Sequence, residues 1–207
     1  MNTPSSPVRV FVPAARMPRW VSNFSGSHGE TSLSVAGGVL CGVAADGSSF
    51  TAGLPFSRGY DGEPSLDLFL AAAVPPSVWG VLLVRRGGFA VARLSGSSLT
   101  ESKVGRRHVQ GRTKAGGQSQ QRFARRRSNQ ASVAFSAAAD HAARILPTLC
   151  PLVAGGDRAA VAEVLADPRL SGLSVVGEWL AVPDPRRAEL DRAIQDAMSL
   201  VVHVTNA

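Results

Sequence analysis

The sequence predicts an α/β chain with a mixed β-sheet and packing helices, on three observations. Apolar runs separated by glycine turns, Val78 to Val84, Phe89 to Leu94 and Leu99 to Val104, read as a strand meander. A helical pattern from about Gln120 to Leu146 follows, and at 1.5 Å per residue it would span roughly 40 Å. Beyond Pro147 the chain alternates strand, helix, strand and helix, so helices are available to cover a sheet. A smaller N-terminal α+β part, 1–75, is set off from 76–207 by Pro75-Pro76, the clearest punctuation in the chain.

Taken in order, residues 1 to 7 hold two prolines and three Ser or Thr and read as a tail. Val8 to Val12 is a short strand. Pro13 to Phe24 is a helix carrying Met17, Trp20, Val21 and Phe24 on one face, ended by Gly26 to Gly29. Strands follow at Ser32 to Val35, Val39 to Ala44 and Ser48 to Ala52, the last two joined through Asp46-Gly47, a tight-hairpin signal. Gly53 to Pro64 is a loop, and Ser65 to Ala73 a short helix with Ser65 as N-cap. After the meander, the long helix carries Ala131, Ala134, Ala138, Ala142 and Ile145 as an apolar stripe, so its second half packs. Leu149 to Ala154 is a buried strand, turned by Gly155-Gly156 into a helix from Arg158 to Ala166 capped by Asp157. Leu173 to Val182 includes a strand. A final helix starts at Pro183-Asp184-Pro185, with Asp184 as N-cap, Pro185 at its first position and Leu190, Ile194 and Met198 as its core stripe. Val201 to Val204 closes the sheet.

Composition bounds the function. The 207 residues are 44% apolar and 18% charged, values of a folded chain rather than a disordered one. Cys41 and Cys150 lie far apart without a C-x-x-C pair, which argues for two small buried thiols in a reducing compartment and against a metal or disulfide framework. The N-terminus lacks an apolar signal region, and Gly, Pro or Arg interrupts every apolar run before membrane-spanning length. We therefore expect a cytoplasmic chain with no membrane partner, acting as a monomer.

Charge is where the chain becomes specific. Nine of its 22 basic residues (Lys103, Arg106, Arg107, Arg112, Lys114, Arg122, Arg125, Arg126 and Arg127) fall between Ser102 and Asn129, a stretch with no acid, while all 15 acids lie elsewhere. One basic stretch on a near-neutral body reads as an electrostatic footprint for nucleic-acid phosphates, with His108 available to touch RNA. Inside it lies Gly116-Gly117-Gln118. Without a Cβ, the two glycines let the backbone press close to a ligand. The Gln118 amide carries a donor and an acceptor but is neither base nor nucleophile, so its chemistry is positioning and polarisation. Arginines crowding the start of the following helix are unfavourable for its macrodipole, a cost that an anionic partner would offset.

Rival sites are weaker. Gly155-Gly156 lacks the G-x-x-x-x-G-K-[ST] pattern of a phosphate cradle. Two-metal nuclease chemistry needs clustered carboxylates, and Asp46, Asp61, Glu63 and Asp67 are scattered through loop-rich sequence, so no metal or other cofactor is expected. Ser119 has no visible His-Asp pair to activate it. His28 and His203 read as structural or exposed.

The segment Gly116-Gly-Gln-Ser-Gln-Gln-Arg-Phe-Ala-Arg-Arg-Arg127 closely resembles the loop and helix start in the middle domain of eukaryotic and archaeal class-1 peptide release factors. Trp79 to Leu99 resembles that domain's first hairpin, and Leu149 to Asp157 its strand and turn after the long helix. The chain as a whole is similar to the bacterial acVLRF-type peptidyl-tRNA hydrolases. The resemblance covers roughly residues 79 to 200 and implies a ribonuclease-H-like fold for the middle-domain part. It also implies hydrolysis of the ester of peptidyl-tRNA at the peptidyl transferase centre of the large ribosomal subunit, against rRNA. No counterpart of a codon-reading domain is visible, which implies ribosome rescue or quality control without stop-codon recognition. The release-factor pattern selects Gln118, placing Arg122 to Arg127 in register. The Gly-x-x-Gln pattern of the quality-control relatives selects Gln120 instead, and both glutamines fit. The alternative from another class is a non-catalytic ribosome or RNA-binding module that docks through the same basic helix.

Overall fold

A computed structural model of the chain describes residues 6–106 and 133–207. It divides into two compact units, Met1–Pro75 with Gln195–Ala207, and Pro76–Ile194.

The first unit is built on strands β1 (Val8–Val12), β2 (Thr31–Ala36), β3 (Val39–Ala44) and β4 (Ser49–Gly53), with helices α1 (Met17–His28) and α2 (Leu66–Ala71). Its fifth strand is the last of the chain, β10 (Leu200–Thr205), and the order is β1-β10-β4-β3-β2, antiparallel throughout. The 201–204 strand thus completes this sheet and not the mixed one. It enters between β1 and β4, with Val202 opposite both Val10 and Ala52. Val12, Leu40, Phe50, Ala52, Leu200 and Val202 face a core closed by Met17, Phe24 and Phe69. Phe50 meets Phe24 and Trp20 edge to face, each with centroids 5.1 Å apart. Its ring also lies over Gly42, its cross-strand partner, where a Cβ would overlap it.

The pattern placed α1 four residues too early. Ala14–Arg16 forms a 3-10 turn, Met17 begins the α-helix, and the chain passes through Gly26 to stop at Gly29. Gly29 ends it because it takes φ +95°, whereas Gly26 meets nothing that forbids helix. The His28 ring nitrogen lies 2.9 Å from an Asp46 carboxylate oxygen, tying the helix end to the β3–β4 turn. Ser65 precedes α2 as expected, but its side chain makes no capping bond. Arg58 instead serves the other end, donating to the Ala72 and Val74 carbonyls.

The second unit holds β5 (Trp79–Arg85), β6 (Gly88–Ser95), β7 (Ser98–Arg106), β8 (Pro151–Gly156) and β9 (Ser174–Val175), in the order β7-β6-β5-β8-β9. The meander is antiparallel and β8 and β9 run parallel to β5, giving the mixed sheet expected. Residues 79–84 of β5 are all buried, as a central strand covered on both faces requires. A helix described over 133–145 (α3) and helix α4 (Arg158–Leu165) cover one face. Phe135, Ala138, Ala142 and Ile145 of α3 and Val161 and Val164 of α4 pack with Leu82, Val84, Phe89, Leu152 and Ala154. The alanine stripe is buried at 134, 138 and 142, while Ala131 lies outside the described residues.

Strand β8 begins at Pro151, two residues later than expected, and Leu149 stands 80% exposed before it. Asp157 caps α4 as expected, accepting from Ala159 N–H at 2.9 Å and Ala160 N–H at 3.3 Å. Helix α5 (Arg187–Ala197) begins two residues after Pro185. Asp184 is not its cap: its carboxylate lies over Gly87 of the β5–β6 turn, where a Cβ would come within 2.9 Å of it.

Gly156 has φ +95°, and a Cβ there would overlap the Val84 carbonyl oxygen. That oxygen is held by Asp157 N–H at 2.8 Å and has no room to retreat. Gly156→Ala is expected to lower unfolding free energy by about 1–3 kcal/mol in denaturant titration. A second outcome concerns acid. Hydrogen bonds from the Arg169 side chain and then its backbone hold the Asp167 carboxyl at about 2, below its ordinary 3.8. A depressed carboxyl contributes stability above its unfolded value and loses it as pH falls through the folded one. Asp167→Asn should therefore flatten the stability profile between pH 4 and about 2 and leave its shape above pH 5 unchanged.

Candidate nucleic-acid interface

Strand β7 is the edge of the mixed sheet, and its last residue, Arg106, pairs with Gly88. The described chain resumes at 133 in α3. The basic segment therefore leaves from a sheet edge and is received by a helix packed on that sheet. Lys103 is exposed on β7 opposite Val91, two residues inside the strand from Gly105. Arg107, His108, Arg112, Lys114, Gly116, Gly117, Gln118, Gln120, Arg122, Arg125, Arg126 and Arg127 lie outside the described residues.

What the structure adds is how the two anchors are joined. Phe89 on β6 faces Gly105 in register, and its ring occupies the space a Cβ at Gly105 would fill. The same ring stacks on His141 of α3, centroids 5.6 Å apart and planes 30° apart. One buried ring thus touches the end of the launching strand and the receiving helix. On the same side Arg144 of α3 donates to Glu101 of β7 at 2.8 Å, and Arg93 of β6 lies 4.0 Å from that carboxylate. At the outer face of α3, Arg169 bridges Asp140 and Asp167, both at 2.7 Å. These ion pairs are exposed and individually weak. The Phe89 contact is buried and carries more.

None of Phe89, Gly105 and His141 stood out in the sequence. A glycine after Val104 reads as the end of a strand, but Gly105 is a strand residue kept small by an aromatic neighbour. Spacing alone could not have found the pair, because the hairpin joins Leu94 to Leu99 and an irregularity at Arg93/Leu94 then shifts the register so that Phe89 meets Gly105 and not Val104.

Among the described residues, no group of three or more His, Cys, Asp or Glu could hold a metal ion. Asp46 is engaged with His28 and with Ser48 N–H, and the Ser48 bond, then His28, holds its carboxyl below the ordinary range. Cys150 is buried, which pushes its thiol up, while Cys41 is half-buried, less so than expected. No helix among the described residues is long and apolar enough to cross a membrane.

The clamp predicts a coupling. Phe89→Ala removes a buried ring and is expected to cost about 3–5 kcal/mol, and Gly105→Ala overpacks against it at about 1–3 kcal/mol. The double variant should be less destabilised than the sum of the two, because without the ring the added methyl has space. Strict additivity in chemical denaturation would contradict the contact.

A family model described as Actinobacteria/chloroflexi VLRF1 release factor matches residues 77–203. A solved structure, Pelota from Archaeoglobus fulgidus, is similar at TM-score 0.32 and 11% sequence identity; the match covers 95% of this chain and 64% of that one. No curated protein matches. The family match takes in both anchors of the basic segment, every strand of the mixed sheet and the glycine-glycine-glutamine stretch itself, and by it the chain belongs to the acVLRF1 release-factor family.

Proposed function

We propose that this chain is a peptidyl-tRNA hydrolase of ribosome rescue, which cuts the ester between a nascent peptide and the tRNA 3′ ribose on the large ribosomal subunit without reading a stop codon. The observation that carries this reading is Gly116-Gly117-Gln118, followed in register by Arg122 to Arg127, within residues matched by a release-factor family. The edge-strand and helix anchors support it, since a segment working deep inside RNA needs both ends held by a rigid scaffold.

In this mechanism a water oxygen attacks the ester carbonyl carbon and negative charge builds on the carbonyl oxygen. The carbon–oxygen bond to the ribose then breaks, and the departing oxygen takes up a proton as the ribose hydroxyl. The peptide leaves as a carboxylic acid. Gln118 orders the water and the leaving hydroxyl through its side-chain amide or backbone N–H, Gly116 and Gly117 permit the approach, and Lys103 with the arginines meets rRNA phosphates. The chain needs no metal or cofactor for this, because a neutral amide works by position.

Single-turnover release from bacterial large subunits carrying labelled peptidyl-tRNA tests the reading. Gln118→Ala should slow release by about 10²–10³-fold, the usual effect of removing one positioned donor, while subunit binding stays within about two-fold, as expected when only transition-state contacts are lost. Gln120→Ala should stay close to wild type. Loss only at 120 would move the role to that residue. Full release by both variants and by their combination would remove the two amides from the chemistry, and binding without release by the wild-type chain would leave a docking module with no hydrolytic role.

A further inference from the structure

A second set of arginines, outside the basic segment, converges on the sheet end from which that segment departs. The register places Arg85 opposite Gly88 and Gly88 opposite Arg106, so the β5–β6 turn, carrying Arg85 and Arg86, flanks the end of β7. The segment before α5 crosses the same end. Arg85 Nε donates to the Val182 carbonyl at 2.8 Å, the Asp184 carboxylate lies over Gly87, and Arg187 Nη1 reaches Ser102 Oγ of β7 at 3.5 Å. Ser102 lies four residues inside β7 from Arg106, so Arg187 marks the inner side of this crossing; Arg186 lies in sequence between it and Asp184, which stands over the turn, and is exposed, as are Arg85, Arg86 and Arg187.

Four arginines and two acids, Asp184 and Asp191, therefore occupy this strip, and Asp191 is already paired with Arg187 at 2.9 Å. Neither Arg86 nor Arg186 has an ion-pair partner among the described residues. Two sequence-distant stretches, one a hairpin tip and one a helix approach, thus bring like charges to one edge. Fold contacts account for Arg85 and Arg187 but not for Arg86 and Arg186, whereas a polyanion laid across the rim would neutralise the charge that those two leave unpaired.

We propose that this rim, centred on Arg86 and Arg186, is an RNA phosphate-binding surface at the sheet end where β7 passes into the basic stretch of the sequence. Its ligand is the sugar-phosphate backbone of ribosomal RNA, held without base readout, because exposed guanidinium groups on a turn and a helix approach offer charge and no pocket for a base. The role rests on the release-factor reading for its choice of RNA, and on the sheet topology for its place. Its work is affinity and orientation; the reacting ester lies elsewhere.

The test compares Arg86→Gln/Arg186→Gln with Arg16→Gln/Arg19→Gln, an equal charge change on exposed arginines of α1 and the turn before it. Both are measured against bacterial large subunits carrying labelled peptidyl-tRNA, by equilibrium binding across a salt series and by single-turnover release. The rim variant should bind about ten-fold more weakly near 150 mM salt, with the log-log salt slope reduced by about one per arginine. Its release rate at saturating concentration should match wild type, and the control should match wild type in both readouts. Equal binding by the rim variant, or equal weakening by the control, overturns the proposal. Normal binding losses in the rim variant with no release from any form of the chain would instead sink the hydrolase reading and leave the RNA surface standing.

Discussion

The buried ring of Phe89 is the contact that ties the end of β7 to α3. It fills the space over Gly105 at the close of β7 and stacks on His141 in α3, so a single side chain joins the strand that leaves the sheet to the helix that returns. A long insertion costs little extra in closure entropy once its ends are held, because that cost grows only logarithmically with length. Holding the ends is therefore the structural problem, and a buried aromatic solves it more firmly than the exposed Arg144–Glu101 and Arg169–Asp140 pairs nearby.

The rest of the second unit follows from that requirement. Its central strand β5 is buried along its length and takes β6 on one side and the parallel β8 on the other. A parallel return needs a crossover, and α3 provides it while covering the same face as α4. The outcome is that the ends of β5, β7 and β8 gather at one side of the sheet, where Arg85 and Arg86 follow Val84, the partner of Gly156, and Arg106 closes β7 opposite Gly88. Charge collects at that side through topology rather than through sequence proximity.

Much of this was legible in the residues, and what was not failed for definite reasons. Strand positions in the meander and the Asp157 cap could be read because alternation and capping chemistry are local. The partner of Leu200–Thr205 could not be read: period-two alternation assigns a strand its faces but says nothing about which sheet has a vacancy, and β1 and β4 offered one. The Asp184 cap was misread because a carboxylate close before a helix has rivals for its position, here over Gly87. Gly26 looked like a terminator and is helical, since only the φ +95° at Gly29 needed a glycine. For the site, the Gly116-Gly117-Gln118 signal was visible as sequence alone, whereas the Phe89 clamp and the arginine rim exist only once strands are paired.

The central claim is that this chain carries a neutral amide, on a basic segment held at both ends, to an ester inside RNA. The most direct measurement is single-turnover peptide release by the intact chain from isolated large subunits carrying peptidyl-tRNA, with no stop codon and no small subunit present. The account predicts release that saturates with protein concentration and weakens steeply with salt. No release above the spontaneous rate at saturating, salt-sensitive binding would contradict it.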